Sequence, residues 1–258
     1  MSAASGATFA LVRKEVFEIL RTWRRVVLPV ILLLFAVSGP LLAKFTPEIV
    51  AALAGDQLGG LKLPEPTVFQ AYGEWIKNLS QIGAFALIII YGGIVSAERR
   101  SGTAVLVLTK PASRLAFVVV KFAVHLGYLA VLLAAGTAVT WGTTAIVFGR
   151  APAGALWAAS GTWALLGALY LALMVLFSVL IRAAAGAAGA GLGAYVLIAV
   201  ASAFTKIGDY SPAGLVTRAP QLAAQADVGG MLWPVLTTVA AAVLAVGAAA
   251  LVFRRQEL

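Results

Sequence analysis

The chain has 258 residues, 62% of them hydrophobic and only 11% charged, with a mean hydropathy of +0.99. A water-soluble domain carries about a quarter charged residues, so this chain has too little polar surface to cover a soluble globule, and the fold class expected is an all-α integral membrane protein. Cysteine is absent, which excludes disulfides, thiolate metal sites and cysteine nucleophiles. The wealth of Ala, Gly, Val and Arg points to a GC-rich bacterial genome.

At the N-terminus, Phe9, Val12, Val16, Ile19 (or Leu20) and Trp23 recur at intervals of three and four. That spacing predicts one apolar helical stripe, with Arg13, Lys14, Glu18, Arg21 and Arg25 largely outside it. Residues 9–25 are expected to form an amphipathic helix lying in the membrane interface; a soluble helix packed on a partner is the alternative. The apolar run that follows starts only near Val26 and lasts 18 residues. It is too long for the apolar region of a signal peptide, so it reads as a retained span.

About 20 apolar residues cross the hydrocarbon core of a bilayer. Six runs qualify, at about 26–43, 79–97, 115–148, 155–181, 183–204 and 232–253. The third would be about 50 Å long as a helix, and Lys121 near its start is expected to hold its first turns in water or headgroups. Pro29 and Pro40 predict kinks in the first span. Residues 44–78 and 205–231 are the long outer loops. Within the first, "VFQAYGEWIKNLSQIG" looks helical; within the second, "SPAGLV" and "PQLAAQ" are expected to dip partway into the membrane. The whole chain, 1–258, is one transmembrane domain.

Six spans put both termini on one side. That side holds 13 of the 19 lysines and arginines and a net charge of +9, while the other side is neutral. Basic residues favour the cytoplasmic side, so both termini are expected in the cytoplasm, with the protein in a bacterial inner membrane. Topology accounts for the basic balance, and nucleic acid is not needed as a partner.

The sequence lacks the common catalytic signatures. It has no phosphate-cradling Gly-x-x-x-x-Gly-Lys-Ser/Thr and no His-Glu-x-x-His, so no catalytic, cofactor or metal residue is assigned and the chain alone is not read as an enzyme. His125 is the one histidine. No acidic residue shares its span, and it is expected to be a packed or hydrogen-bonded side chain. Pairing it with Ser160 for intramembrane proteolysis fails, because the two fall at different depths. No span carries the mid-membrane carboxylate typical of ion-coupled carriers. Gly186, Gly189, Gly191 and Gly193 crowd the start of the fifth span. Gly189 and Gly193 form a small-xxx-small pair that permits close helix approach; plain packing and a gating role are both open.

Residues 97–114, "AERRSGTAVLVLTKPASR", concentrate five of the 29 charged residues. Pro111 bars a helix from running through it, so a short helix at about 98–110 is expected across the cytoplasmic surface, suited to docking. A loop held by its bases to anionic headgroups is the alternative. Here "GGIVSAERRSGTAVLVLTKPASRLAFVVVKF" resembles the signature region of type-2 ATP-binding-cassette permeases, and "VRKEVFEILRTW" resembles the interfacial helix of that family. The matching positions are Glu98, Gly102, Thr103, Leu106, Leu108, Pro111, Ser113, Arg114 and Lys121.

The resemblance implies the membrane half of an ATP-driven exporter. Two ATPase subunits on a separate chain would bind ATP and Mg, and the permease would pair with itself or with a homologous permease. It implies that Glu98, Arg99, Arg100, Gly102, Thr103, Leu106, Pro111 and Arg114 belong to the ATPase-coupling segment. It also points to the first and fifth spans as the interface between copies, around Val37, Gly189, Gly193 and Val196. A pathway lined by Phe35, Val37, Phe85, Leu87, Tyr195 and Ile198 would be apolar and suit a hydrophobic or amphipathic substrate. A sodium exporter and a non-transporting scaffold are the alternatives.

Overall fold

The computed structural model describes residues 3–54, 65–102 and 113–256. Among these, eleven α-helices and one π-helical stretch are found, and six helical runs are long and apolar enough to cross a membrane. The helices are α1 (Ala3–Arg21), α2 (Arg24–Ala54), α3 (Val68–Asn78), α4 (Ala84–Tyr91), α5 (Ser96–Arg100), α6 (Arg114–Phe148), α7 (Ala153–Leu180), α8 (Ala184–Ser202), α9 (Thr205–Tyr210), α10 (Ala213–Ala223) and α11 (Leu232–Arg255).

The first span, α2, runs through Pro29, Pro40 and Pro47. It buries Leu28, Leu32 and Ala36 and exposes Val30, Leu34, Val37 and Leu41. Each set recurs every three or four residues, so one face meets the bundle and the other faces outward. The second span is composite. α3 continues through the π-helical segment Leu79–Gly83 into α4, breaks at residues 92–95, and resumes as α5. The sequence expectation of an outer loop over 44–78 is therefore corrected: residues 44–54 extend α2, and residues 68–78 extend the second span.

The break before α5 leaves backbone donors without helical partners, a costly condition in an apolar setting. Ser178 on α7 accepts both Val95 N–H and Ser96 N–H at 2.9 Å. Close helix approaches within the bundle depend on glycine. A Cβ at Gly136 on α6 would lie 2.6 Å from the Trp75 ring, and a Cβ at Gly191 on α8 would lie 2.3 Å from Met174 Sδ and 2.9 Å from Ile88. Trp75 is also fixed by an indole N–H donated to Ser160 Oγ at 3.1 Å.

α7 is the central helix, buried along most of its length and packed on α6, α8, α10 and α11. α6 begins at a Ser113 cap, whose side chain accepts Ala116 N–H at 3.0 Å, and ends at Gly149 with φ +79°. Between the last two spans, residues 205–223 form α9 and α10. Leu215, Ala219 and Ala223 of α10 are buried. The stretches "SPAGLV" and "PQLAAQ" lie largely on α10.

Candidate functional site: a buried ionic cluster

The three elements α1, α5 and α6 converge at the base-rich end of the bundle. α1 packs on the bundle through a line of residues that shares only Ile19 with the expected apolar stripe. Leu11, Glu15 and Ile19 face inward, whereas Phe9, Val16, Leu20 and Trp23 are exposed. These buried positions recur every four residues, so a carboxylate is carried in the middle of the packed face. Lys121 sits two turns inside α6, and Glu98 sits in α5. The three are 23 to 106 residues apart in sequence and meet in space.

Lys121 Nζ donates to Glu15 Oε2 at 2.7 Å and to Glu98 Oε1. Lys14 Nζ reaches Glu98 Oε1 at 2.6 Å, Glu15 Oε1 at 2.9 Å and Glu18 Oε2 at 2.9 Å. Arg24 Nη1 lies 3.6 Å from Glu18 Oε1. Three cations therefore face three carboxylates, and the cluster is neutral. Lys121 is fully buried and Glu15 is 1% exposed. Lys121, expected near the start of its span to hold the first turns in water or headgroups, has its charge met inside the bundle by two carboxylates, one supplied by α1.

His125 is one turn further along α6. Its Nδ1 is 3.3 Å from the Tyr91 hydroxyl, and its Nε2 is 3.7 Å from Glu15 Oε2. No acidic residue shares the span of His125; Glu15 arrives from α1, 110 residues away in sequence. Ser160 is instead bonded to Trp75.

The charges tune one another. Burial alone would raise the Glu15 carboxyl, but the contact with His125 and the ammonium groups of Lys121 and Lys14 outweigh it and hold Glu15 well below the usual carboxylate range. Burial likewise opposes ionisation of Glu18, and Lys121 and Lys14 again prevail to lower it. Lys14 is raised above the ordinary lysine value, since Glu15 and Glu98 outweigh its desolvation. Oxygens of Glu15, Glu18 and Glu98 lie within 4.8 Å of one another. A divalent ion there would meet two ammonium groups already seated among the carboxylates, so the set is an ion-pair network by its chemistry rather than a metal cage.

The other singled-out residues are distributed as follows. Arg99 Nη1 donates to Val179 O at 3.1 Å, and Arg100 is exposed. Gly102 adopts φ +73° in the turn after α5. Thr103, Leu106, Leu108 and Pro111, with most of the expected 98–110 helix, lie outside the described residues; α5 accounts for 96–100. Arg114 Nη1 donates to Arg254 O at 3.2 Å and Gln256 O at 2.6 Å, tying the start of α6 to the C-terminal end of α11.

Phe85 and Tyr195 are brought together edge to face, with ring centroids 5.1 Å apart. The Tyr195 hydroxyl donates to Ser80 O at 3.0 Å. Phe35 and Ile198 are half-buried, and Val37 and Val196 are exposed. Leu87 is fully buried in the core, which removes it from the expected pathway lining. Nothing lies within 4 Å of a Cβ built at Gly189 or Gly193. The internal close approach is made by Gly191, and the Gly189–Gly193 pair faces outward with Val196 and Val200.

Fold and composition define a multi-pass, all-α membrane protein with a neutral ionic cluster at one end. The chain belongs to the family described as protein of unknown function (DUF2705), whose sequence model matches residues 61–258. It is also 25% identical over 217 residues to the uncharacterized transmembrane protein YxlG of Bacillus subtilis (strain 168), covering 83% of each chain.

Proposed function

We propose that this chain is the membrane-spanning permease subunit of an ATP-driven type-2 ATP-binding-cassette exporter. It would act as a homodimer, or with a homologous permease, on two copies of a separate ATPase that carries ATP and Mg. Both termini and the base-rich end lie in the cytoplasm of a bacterial cell, by the charge asymmetry. The segment after α5 is the coupling element, and α1 lies along the cytoplasmic interface.

The observation that carries this reading is how the two flanks of residues 103–112 are fastened. On one side Glu98 is locked to Lys121 and Lys14; on the other, Arg114 is locked to the carbonyls of Arg254 and Gln256. A force applied at this segment is delivered to α1, α6 and α11 together, which is what a coupling element requires. Arg100 remains exposed beside it and available to acidic groups of a partner.

The outward faces of α2 and α8 supply the interface between copies. Gly189 and Gly193 permit close approach where lipid gives helices little hydrophobic drive to associate. An apolar pathway there rewards burial of apolar substrate at about 25 cal/mol per Å², which favours a hydrophobic or amphipathic cargo over sodium. Reversing charge at exposed Arg100 (Arg100→Glu) tests the coupling without disturbing the buried cluster. Insertion and folding are expected to persist while ATP hydrolysis by the purified complex loses its stimulation by substrate. Normal stimulated hydrolysis and export in that variant would refute the assignment.

A further inference from the structure

At the end of the bundle away from the ionic cluster, α9, α10 and the start of α11 enclose a pocket of about 620 Å³. Its frame is Arg218 on α10, a residue only 6% exposed. The guanidinium donates to Asp209 Oδ1 at 2.9 Å, Gly208 O at 3.1 Å and Val228 O at 3.1 Å. This approach needs glycine beneath it: a Cβ at Gly214 would lie 2.1 Å from Arg218 Nη1 and 2.0 Å from Gly208 O. Arg218 thereby ties α9 to the loop that carries Asp227, and its charge is met within the protein.

Asp227 is exposed on the pocket wall. One of its oxygens accepts Gly229 N–H at 3.1 Å, and the other has no partner among the described residues. With Asp209 balanced by Arg218, Asp227 leaves the lining with one net negative charge. Tyr210 and Trp233 complete the wall, 64% and 54% exposed, with ring centroids 6.3 Å apart. A carboxylate without a counter-ion lining one pocket with two exposed aromatic rings is the chemistry that holds an organic cation, because ring faces attract positive charge. An anion would meet a negative wall. A small metal ion would need several oxygen ligands and would gain nothing from the indole. The volume is that of a small-molecule site.

We propose that this pocket binds an organic cation with apolar substituents, of the quaternary-ammonium class, centred on Asp227, Tyr210 and Trp233. The inference is independent of any ATPase partner. The full-length protein in lipid nanodiscs is titrated calorimetrically with tetrapropylammonium, with the neutral alcohol tripropylcarbinol and inorganic phosphate as comparison probes. Saturable binding is expected for the cation alone, weakened about tenfold or more by Asp227→Asn and by Trp233→Ala, and unchanged by Glu74→Gln outside the pocket. Both altered side chains are exposed, and an unchanged unfolding midpoint verifies that each variant is folded; should Trp233→Ala not fold, Asp227→Asn decides alone. The proposal is overturned by an absence of saturable binding, by comparable binding of the alcohol or phosphate, or by wild-type affinity in either folded variant.

Discussion

Lys121 on α6 and Glu15 on α1 form an ion pair of 2.7 Å with almost no solvent contact, across 106 residues of sequence. Attraction in such a pair is largely offset by desolvation, so its net value is small. Loss of one partner, however, strands a buried charge at a cost of about 3–5 kcal/mol. Lys121→Met is therefore expected to lower the unfolding free energy in detergent by about that amount. Lys77→Met, which breaks the exposed pair with Glu74 at 3.0 Å, should change it by less than about 1 kcal/mol. Equal effects of the two substitutions would contradict the buried network.

The cluster also sets a pH range. Glu15 and Glu18 titrate below their ordinary value of 4.5 in the folded chain. The unfolded chain thus binds more protons as acidity increases, and stability falls as pH drops below 4.5 toward the folded values. Lys14 is raised above 10.5, so its contribution is complete below that pH and is lost as pH rises through the folded value. The melting temperature of the detergent-solubilised protein should show this acid-side decline, and Glu15→Gln should make the decline shallower. An identical acid profile in Glu15→Gln would contradict the assignment.

The glycines of α8 divide into two kinds. Gly191→Ala is expected to destabilise by about 1–3 kcal/mol, because the added methyl overlaps Met174 and Ile88 in a packed core. Gly189→Ala and Gly193→Ala place the methyl in open space and should gain up to about 1 kcal/mol of helix propensity in the isolated subunit. Chemical denaturation of the three variants separates these cases, and a reversed order would refute the packing described for α8.

The proposed interface between copies can be probed with little background in a chain that has no cysteine. Cysteines introduced at the exposed positions Val37 and Val196 should cross-link between subunits in native membranes. A Leu87→Cys replacement, inside the core, should not. Failure at both exposed positions and their neighbours, in a complex that still transports, would move the interface elsewhere.

Much of the fold was legible because the bilayer imposes one length scale. The runs at 115–148, 155–181 and 232–253 lie within about two residues of α6, α7 and α11. The second span was harder to read because Gly73, Lys77 and Asn78 interrupt the apolar run, while the helix continues through a π-helical turn. The site was only partly legible. Glu98 and Lys121 stand out by position, but Glu15 looks like one more charge on an interfacial helix, and periodicity placed the apolar stripe on a different face. What periodicity does not carry is the tertiary contact: a buried ammonium on α6 needs a carboxylate, and α1 turns Glu15 inward to supply it. The pocket between α9, α10 and α11 was invisible in sequence because Arg218, Asp209 and Asp227 are brought together by two short helices and a loop that propensity alone reads as one irregular segment.

The most direct measurement replaces Arg100 with a photo-crosslinking amino acid in the native host and identifies the adduct by mass spectrometry after irradiation of intact membranes. The account predicts a cross-link to a separate polypeptide bearing a phosphate-binding loop, at a stoichiometry of one ATPase per permease, reduced when Arg114 and Glu98 are both neutralised. Adducts confined to lipid, or to proteins without a nucleotide-binding motif, would contradict it.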